Sequence, residues 1–176
     1  MKQKINTEKA PGAIGPYSQA VAIDNLVYTS GQLGIDPATG ELAEGVEAQA
    51  KQALENVKAI LAEVGLGMDD IIKTLVFIKD MNDFGKVNAV YAQYICGDIL
   101  PARSCVEVAA LPKGGLVEIE VIAKNLTEIE DGDVIEFICD YYTYDGEYQD
   151  SYRMIDPITV KGGLTVSDDT LPDGKV

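Results

Sequence analysis

Histidine is absent from all 176 residues of the chain. That absence removes the commonest general base, and with it Ser-His-Asp and Cys-His catalysis and most catalytic zinc sites. Any acid–base chemistry falls to Asp, Glu, Tyr, Lys, Cys or water. Cysteine is scarce: Cys96, Cys105 and Cys139 are odd in number and none has Cys-x-x-Cys spacing. Reduced thiols are expected, and neither a disulfide framework nor a structural zinc site. Positive charge is scarce too. Fourteen Lys and Arg face 29 Asp and Glu, a net charge of -15. Phosphate backbones are bound by clustered Lys and Arg, so no nucleic-acid partner is expected. No apolar run approaches the length that crosses a bilayer. The first residues, Met1-Lys-Gln-Lys-Ile-Asn-Thr-Glu8, carry two lysines with no apolar stretch behind them. They do not read as a secretory signal. The expectation is a cytoplasmic protein with no membrane partner.

What remains is a globular composition, 47% hydrophobic and 24% charged, which supports a packed core. Charge divides the chain near Asn125. Residues 1–125 carry 16 acidic and 11 basic residues, whereas residues 126–176 carry 13 acidic and 3 basic, with five of the nine tyrosines. Two pieces are expected, 1–125 and 126–176.

In the first piece Gln19 to Asp24 and Leu26 to Ser30 read as strands, with Asp24-Asn25 suited to a tight hairpin. Asp36-Pro-Ala-Thr-Gly40 is a second turn signal. Val46, Ala50, Ala53, Val57, Ile60, Leu61 and Val64 recur at helical spacing, and Gly65 supplies a stop. Ile71 to Ile78 is an apolar, β-branched strand. Phe84, Val87, Val90, Tyr91 and Tyr94 mark a second helix, with Asp80 or Asn82 as its cap. Arg103 to Ala109 and Val117 to Lys124 read as two final strands. Helices between strands suit crossover units with both helices on one sheet face. The Ile71–Ile78 strand is apolar on both faces, so the open face is expected to be buried against other subunits.

The second piece also reads as β structure. Val134 to Tyr142 and Arg153 to Val160 are strand-like, Tyr144 to Tyr148 is turn-rich, and Lys161-Gly-Gly163 turns into Leu164–Val166. A segment of about 50 residues rarely builds a stable core alone.

Strand alternation places Arg103, Cys105 and Glu107 on one face of their strand. In the last strand Val117, Ile119 and Val121 should face the helices, which turns Glu118 and Glu120 to the open face. If Arg103 faces the same way, a guanidinium and a carboxylate converge. From spacing alone the commoner meaning is a structural ion pair. The alternative is a bidentate anchor for a small carboxylate ligand, a contact of order 1.5–3 kcal/mol. Gly12 to Tyr17 is a loop stiffened by Pro16 that presents Tyr17, by itself a packing residue. Ser30-Gly31 ends a strand where backbone can approach a ligand closely.

Several of these stretches together resemble a known family. Ala10-Pro-Gly-Ala-Ile-Gly-Pro-Tyr-Ser-Gln-Ala20, Tyr28-Thr-Ser-Gly-Gln32, Asn82-Asp-Phe84 with Asn88, Pro101-Ala-Arg-Ser-Cys-Val-Glu-Val108 and Val117-Glu-Ile-Glu-Val-Ile-Ala123 are similar to signatures of the RidA (YjgF/UK114-type) family. The resemblance covers residues 3–125. It implies an α+β fold, a chorismate-mutase-like mixed β-sheet with two helices on one face. It also implies a homotrimer with the sheets inside and sites between subunits. The implied activity is hydrolysis of 2-imino or enamine acids to 2-oxo acids and ammonia, with no cofactor and no metal. By position, Arg103 would bind the substrate carboxylate and Glu118 would activate water. Backbone at Gly31 and Cys105 would contact the substrate, and Tyr17 and Ser30 would line the pocket. A non-catalytic trimer that binds small carboxylates or partner proteins, and a chaperone-like holdase, are the alternatives. Ribonuclease activity, sometimes ascribed to relatives, sits poorly with the net charge. The second piece departs from the family. It faintly resembles C-terminal regions of clostripain-type proteases, without a nucleophile–histidine pair, and reads equally as a natural extension or as a fused segment.

Overall fold

A computed structural model describes residues 2–124 and, beyond them, the backbone of four short strands between residues 134 and 159. The chain divides into two units, Met1–Leu126 and Thr127–Val176.

The first unit is a seven-stranded mixed sheet. Its strands are β1 (Gln3–Ile5), β2 (Ala20–Ile23), β3 (Leu26–Thr29), β4 (Gln32–Leu33), β5 (Ile71–Ile78), β6 (Ala102–Glu107) and β7 (Val117–Lys124), in the order β1-β2-β3-β7-β5-β6 with β4 also on β7. Asp24, with φ of 53°, and Asn25 turn β2 into β3, the left-handed start that two-residue hairpins need. Only β5 and β6 run parallel. The expected strands are present within a residue or two at their ends. Two more, β1 and β4, were not read from the sequence.

Helix α1 (Val46–Ala62) buries Val46, Ala50, Ala53, Leu54, Val57, Ile60 and Leu61, the stripe that a 3.6-residue period lays along one face. Gly65 ends it at φ of 75°, and Leu66 N–H returns to Leu61 O at 3.0 Å. Helix α2 (Phe84–Tyr91) is shorter than its apolar pattern suggested and stops before Tyr94. Asp80 accepts from Asn82 N–H at 2.9 Å, so it caps the 3-10 turn Met81–Asp83 that leads into the helix. Both helices lie on one face, against Val117, Ile119, Val121 and Ala123 of β7 and Thr74, Val76 and Ile78 of β5. Tyr94 ties them together, donating to Glu55 at 2.6 Å. Burial and that bond push the phenol up to about 12, so it remains a donor at neutral pH.

Buried amides close the gaps the ladder leaves. Gln19 joins Thr7, Ala10 and Pro11 through four hydrogen bonds to their backbone. Asn56, fully buried on α1, donates to Leu33 O at 3.1 Å and Ile35 O at 2.9 Å. The opposite sheet face is open and carries exposed Ile23, Tyr28 and Val106. Among the described residues no helix is long and apolar enough to cross a membrane.

In the second unit β8 (Val134–Ile135) pairs with β11 (Ile158–Thr159), and β9 (Ile138–Tyr142) with β10 (Tyr148–Arg153), all antiparallel. The strand after the turn therefore begins at Tyr148, earlier than its sequence suggested. Tyr148-Gln-Asp-Ser-Tyr152 has no apolar alternation, and its pairing with β9 makes it a strand. The expected strand Leu164–Val166 lies outside the described residues.

Removing the Asn56 amide strands one buried carbonyl, of Ile35, and one partly buried carbonyl, of Leu33, at a cost of about 1–3 kcal/mol for a fully buried group. Asn56→Ala is expected to lower stability by about 2–4 kcal/mol in urea denaturation at matched protein concentration. A loss below about 0.5 kcal/mol would mean that water replaces the amide.

Candidate active site

The ladder assigns each side chain to a face. β5 pairs Thr74 with Arg103 and Val76 with Cys105 across the parallel ladder to β6, and Phe77 with Glu118 and Leu75 with Glu120 across the antiparallel ladder to β7. Ladder partners share a face. Arg103 and Cys105 therefore lie on the helix side, with Thr74 and Val76. Glu118 and Glu120 lie on the open side, with Leu75 and Phe77. The convergence of Arg103 and Glu118 raised by strand alternation does not occur within one chain. Ser104 and Val106, which were set on the face away from Arg103, share the open face with the glutamates.

Arg103 sits on the free edge of the sheet, under α2. Its Nη1 donates to Asn88 Oδ1 at 2.7 Å. Its guanidinium lies 4.7 Å from the centroid of the Tyr91 ring and 5.7 Å from that of Phe84. Stacking on aromatic faces holds a guanidinium flat without consuming its N–H groups. Among the described residues no carboxylate pairs with Arg103, so the structural ion pair favoured by spacing is not formed in this chain. Most of its five donors stay available. The guanidinium borders a depression of about 480 Å³ lined by Asn88, Tyr91, Ala92, Ile95, Leu100 and Pro101.

Cys105 packs against the core beside it. Burial pushes its thiol up, against the opposing pull of Arg103, so the sulfur is a poor nucleophile at neutral pH. Its backbone is better placed. Val108 N–H donates to Ile78 O at 3.0 Å. Alternation then turns the N–H and C=O of Arg103, Cys105 and Glu107 toward the free edge of β6.

A second depression, of about 300 Å³, lies elsewhere on the unit and is lined by Ile14, Tyr17, Ser30, Gly31, Leu33, Pro112 and Glu118. A one-residue irregularity builds it. Tyr28 pairs with Ile122 but Gln32 pairs with Ile119, so the chain between them carries one residue more than β7 opposite. Bulges of this kind re-aim backbone next to functional sites. Thr29 Oγ1 fills the broken ladder, accepting from Val121 N–H at 2.9 Å and donating to Val121 O at 3.4 Å. Ser30 Oγ donates to Ser18 O at 2.7 Å and Ser30 N–H to Gln19 O at 2.9 Å. These bonds fix the bulge against the Gly12–Tyr17 loop, in which Tyr17 Oη accepts from Ile14 N–H at 3.2 Å.

Gly31 leaves room for the Glu118 side chain. A Cβ there would come within 2.6 Å of Glu118 Cδ and 2.9 Å of its Cγ. Glu118 occupies the volume that the missing side chain leaves. Half-buried, with Glu120 on the same strand face, its carboxyl is raised above the ordinary glutamate value, first by burial and then by that like charge. A carboxylate in this state binds a proton more readily than a surface glutamate and can exchange it with water. Among the described residues no group of three His, Cys, Asp or Glu is placed to hold a metal ion.

The sequence-predicted residues thus fall into two separate groups. Tyr17, Ser30, Gly31 and Glu118 gather in one, and Arg103 with the Cys105 backbone forms the other. Phe84, Asn88 and Tyr91 were not assigned to a site. Their spacing along α2 is the readable signal, because it puts all three on one helix face.

An antiparallel-dominated sheet with two helices on one face, carrying a bulge-built carboxylate pocket and an edge arginine, defines a class of small α+β proteins. The family model described as Endoribonuclease L-PSP matches residues 7–125. A RutC family protein of Haemophilus influenzae is 58% identical over 126 residues, covering 70% of this chain and 97% of the relative. A 2-iminobutanoate/2-iminopropanoate deaminase of Salmonella typhimurium is 56% identical over 125 residues, 70% of this chain and 98% of the relative. Among solved structures, the YjgF gene product of E. coli is 52% identical with a TM-score of 0.67, covering 69% of this chain and 98% of that one. E. coli TdcF, solved with bound serine, is 51% identical with the same score and coverage. The chain belongs to the RidA (YjgF, L-PSP) family over its first unit.

Gly31→Ala is expected to push the Glu118 carboxyl out toward water and return its pKa toward the ordinary value. Carbon-detected NMR titration of the Glu118 carboxyl checks this. An unshifted titration would show that the pocket does not depend on the glycine.

Proposed function

We propose that this chain is a 2-iminobutanoate/2-iminopropanoate deaminase, and that its site is assembled between subunits. The observation that carries the activity is the 56% identity with a deaminase of that name over 98% of that protein's length. The geometry supplies the assembly. Arg103 and Glu118 lie on opposite sheet faces and border separate depressions. A substrate held by one and hydrated by the other needs the Arg103 edge of one copy against the Glu118 pocket of the next. A closed ring such as the homotrimer of the family resemblance provides that heterologous contact at every interface. It would also cover the exposed Ile23, Tyr28 and Val106 of the open face.

In such a cleft the Arg103 fork binds the substrate carboxylate, and backbone at Cys105 and Gly31 borders the substrate. Tyr17 and Ser30 line the wall. Water attacks the imine carbon while Glu118 takes one of its protons. The C–O bond forms as the C=N π pair moves to nitrogen. Glu118 returns the proton to nitrogen, giving the carbinolamine; it then takes the hydroxyl proton as the C=O forms and passes it to the amine, so that the C–N bond breaks and ammonia leaves with the 2-oxo acid. An imine carbon is already electrophilic, so positioning and one weak base suffice. Small imino acids are the substrates. No cofactor is invoked, and the reaction fits a cytoplasmic protein. Residues 1–125, the span that the relatives cover, carry the reaction. The endoribonuclease of the family description would need a track of Lys and Arg, which a chain of net charge -15 does not favour.

With 2-iminobutanoate generated enzymatically and its loss followed, Arg103→Ala and Glu118→Gln should each reduce turnover by roughly 100-fold or more. Full activity in Arg103→Ala would refute the carboxylate anchor. The two inactive variants, dissociated and reassembled together, should regain activity at about a quarter of the sites, where each supplies its intact half. No recovery in a verified mixed assembly would put both residues in one subunit's site.

The pH dependence follows from the raised carboxyl of Glu118. The active form is the carboxylate, so kcat/KM falls as pH drops through that raised pKa. The acid limb should lie above the ordinary glutamate value of 4.5. A limb at or below it would indicate that Glu118 is fully solvated in the working site.

A further inference from the structure

Arg103 is held from underneath as well as from α2. Its ladder partner Thr74 lies beside it on the helix face of β5 and is fully buried. Thr74 Oγ1 sits 2.9 Å from Tyr91 Oη in a buried hydrogen bond. A hydroxyl at a core position costs free energy unless it is paired, and valine would fill the same volume without that cost. Tyr91 is almost as deeply buried, and the face of its ring carries the guanidinium. Both ends of the arginine therefore refer to one residue. The ladder sets its backbone beside Thr74, and the ring that Thr74 holds sets its head group.

We propose that Thr74 and Tyr91 are a positioning pair for the carboxylate anchor. Their hydrogen bond fixes the tilt and depth of the Tyr91 ring, and the ring fixes the plane of the guanidinium. Asn88 occupies one N–H, which leaves the rest of the fork directed at the ligand. Thr74 is not among the residues lining the depression beside Arg103, so its influence on binding passes through Tyr91. A fork held in one plane meets a planar carboxylate with little further loss of freedom. A loose one must be ordered by each ligand. The inference rests on Arg103 as the anchor.

The test is binding of 2-oxobutanoate, the product carboxylate, to the full chain by calorimetry at up to millimolar ligand. It compares the unaltered protein with Thr74→Val and Tyr91→Phe, each alone, together, and on an Arg103→Ala background. Thr74→Val and Tyr91→Phe should each weaken binding roughly three- to tenfold, with the pair no worse than either alone. For Thr74→Val, which lies outside the lining of the depression, turnover at saturating imine should stay within about twofold of the unaltered rate. Thr74→Ser, which keeps the hydroxyl, should restore affinity. On the Arg103→Ala background neither change should matter. If Thr74→Val does not fold, Tyr91→Phe supplies the same comparison because the ring remains. The proposal is overturned if both variants bind like the unaltered protein while Arg103→Ala does not. It is equally overturned if their loss persists without Arg103, which marks a purely structural bond. Unchanged affinity in Arg103→Ala would remove the anchor, and the positioning pair with it.

Discussion

A β-strand shows successive side chains to opposite faces, and that period of two governs where chemistry can occur in this chain. β6 and β7 flank the same strand, β5. The registers Thr74–Arg103 and Phe77–Glu118 put the guanidinium and the carboxylate three residues apart along it. An odd separation is an opposite face. No side-chain rotation brings the two groups together, because a packed sheet lies between them. A one-residue slip of β6 would align them, but it would also turn Ser104 and Val106 into the core. The packing that stabilises the unit therefore keeps Arg103 and Glu118 from meeting within one chain. A second copy of the chain becomes a chemical requirement of the proposed reaction.

Each half of the site is rigid for a different physical reason. The Glu118 half is made of backbone. One surplus residue between β3 and β4 lifts Ser30 and Gly31 out of the ladder, Thr29 repairs the gap with its hydroxyl, and the missing side chain of Gly31 is the space Glu118 fills. The Arg103 half is made of side chains. Asn88 and two aromatic rings on α2 bracket a long, flexible arginine whose rotamer entropy would otherwise oppose binding. Short, rigid parts surround the proposed water-activating group, and a braced long arm reaches for the ligand. That division suits a site closed by docking, since the arm must meet a pocket it does not share a core with.

Which parts of this were legible in the sequence follows from how much pattern each carried. α1, β5 and β7 have seven or more residues with a consistent period, and their positions were readable. β1 and β4 have three and two residues. They are strands because β2 and β7 offer them partners, which no local pattern encodes. For β7 the facing could be read as well, because Val117, Ile119, Val121 and Ala123 form a uniformly apolar set. For β6 it could not. Arg103, Cys105 and Glu107 alternate with Ser104, Val106 and Val108, and both sets mix polar with apolar residues. Only the ladder to β5 decides between them. The motifs therefore singled out Arg103 and Glu118 but left the Arg103 side open. Phe84 and Tyr91 belong to an apolar helical pattern whose plain meaning is core, and nothing local encodes the arginine from another strand that lies on their rings.

The lack of histidine acquires a positive meaning in this architecture. A general base near neutrality is needed where a nucleophile must be made from a poor one. Addition of water to an electrophilic imine asks for less, and the proposed reaction assigns it to a glutamate moved upward by partial burial and by a neighbouring glutamate. In the proposed reaction the same arrangement lets one arginine dominate ligand choice in so acidic a chain. With carboxylates on the open face and a net charge of -15, a small anion is repelled over most of the surface. It is stabilised where a guanidinium stands on aromatic rings with its fork unspent. In the proposed reaction, selectivity for a carboxylate would come from the contrast between that point and everything around it, and a neighbouring copy that excluded water from the cleft would sharpen that contrast.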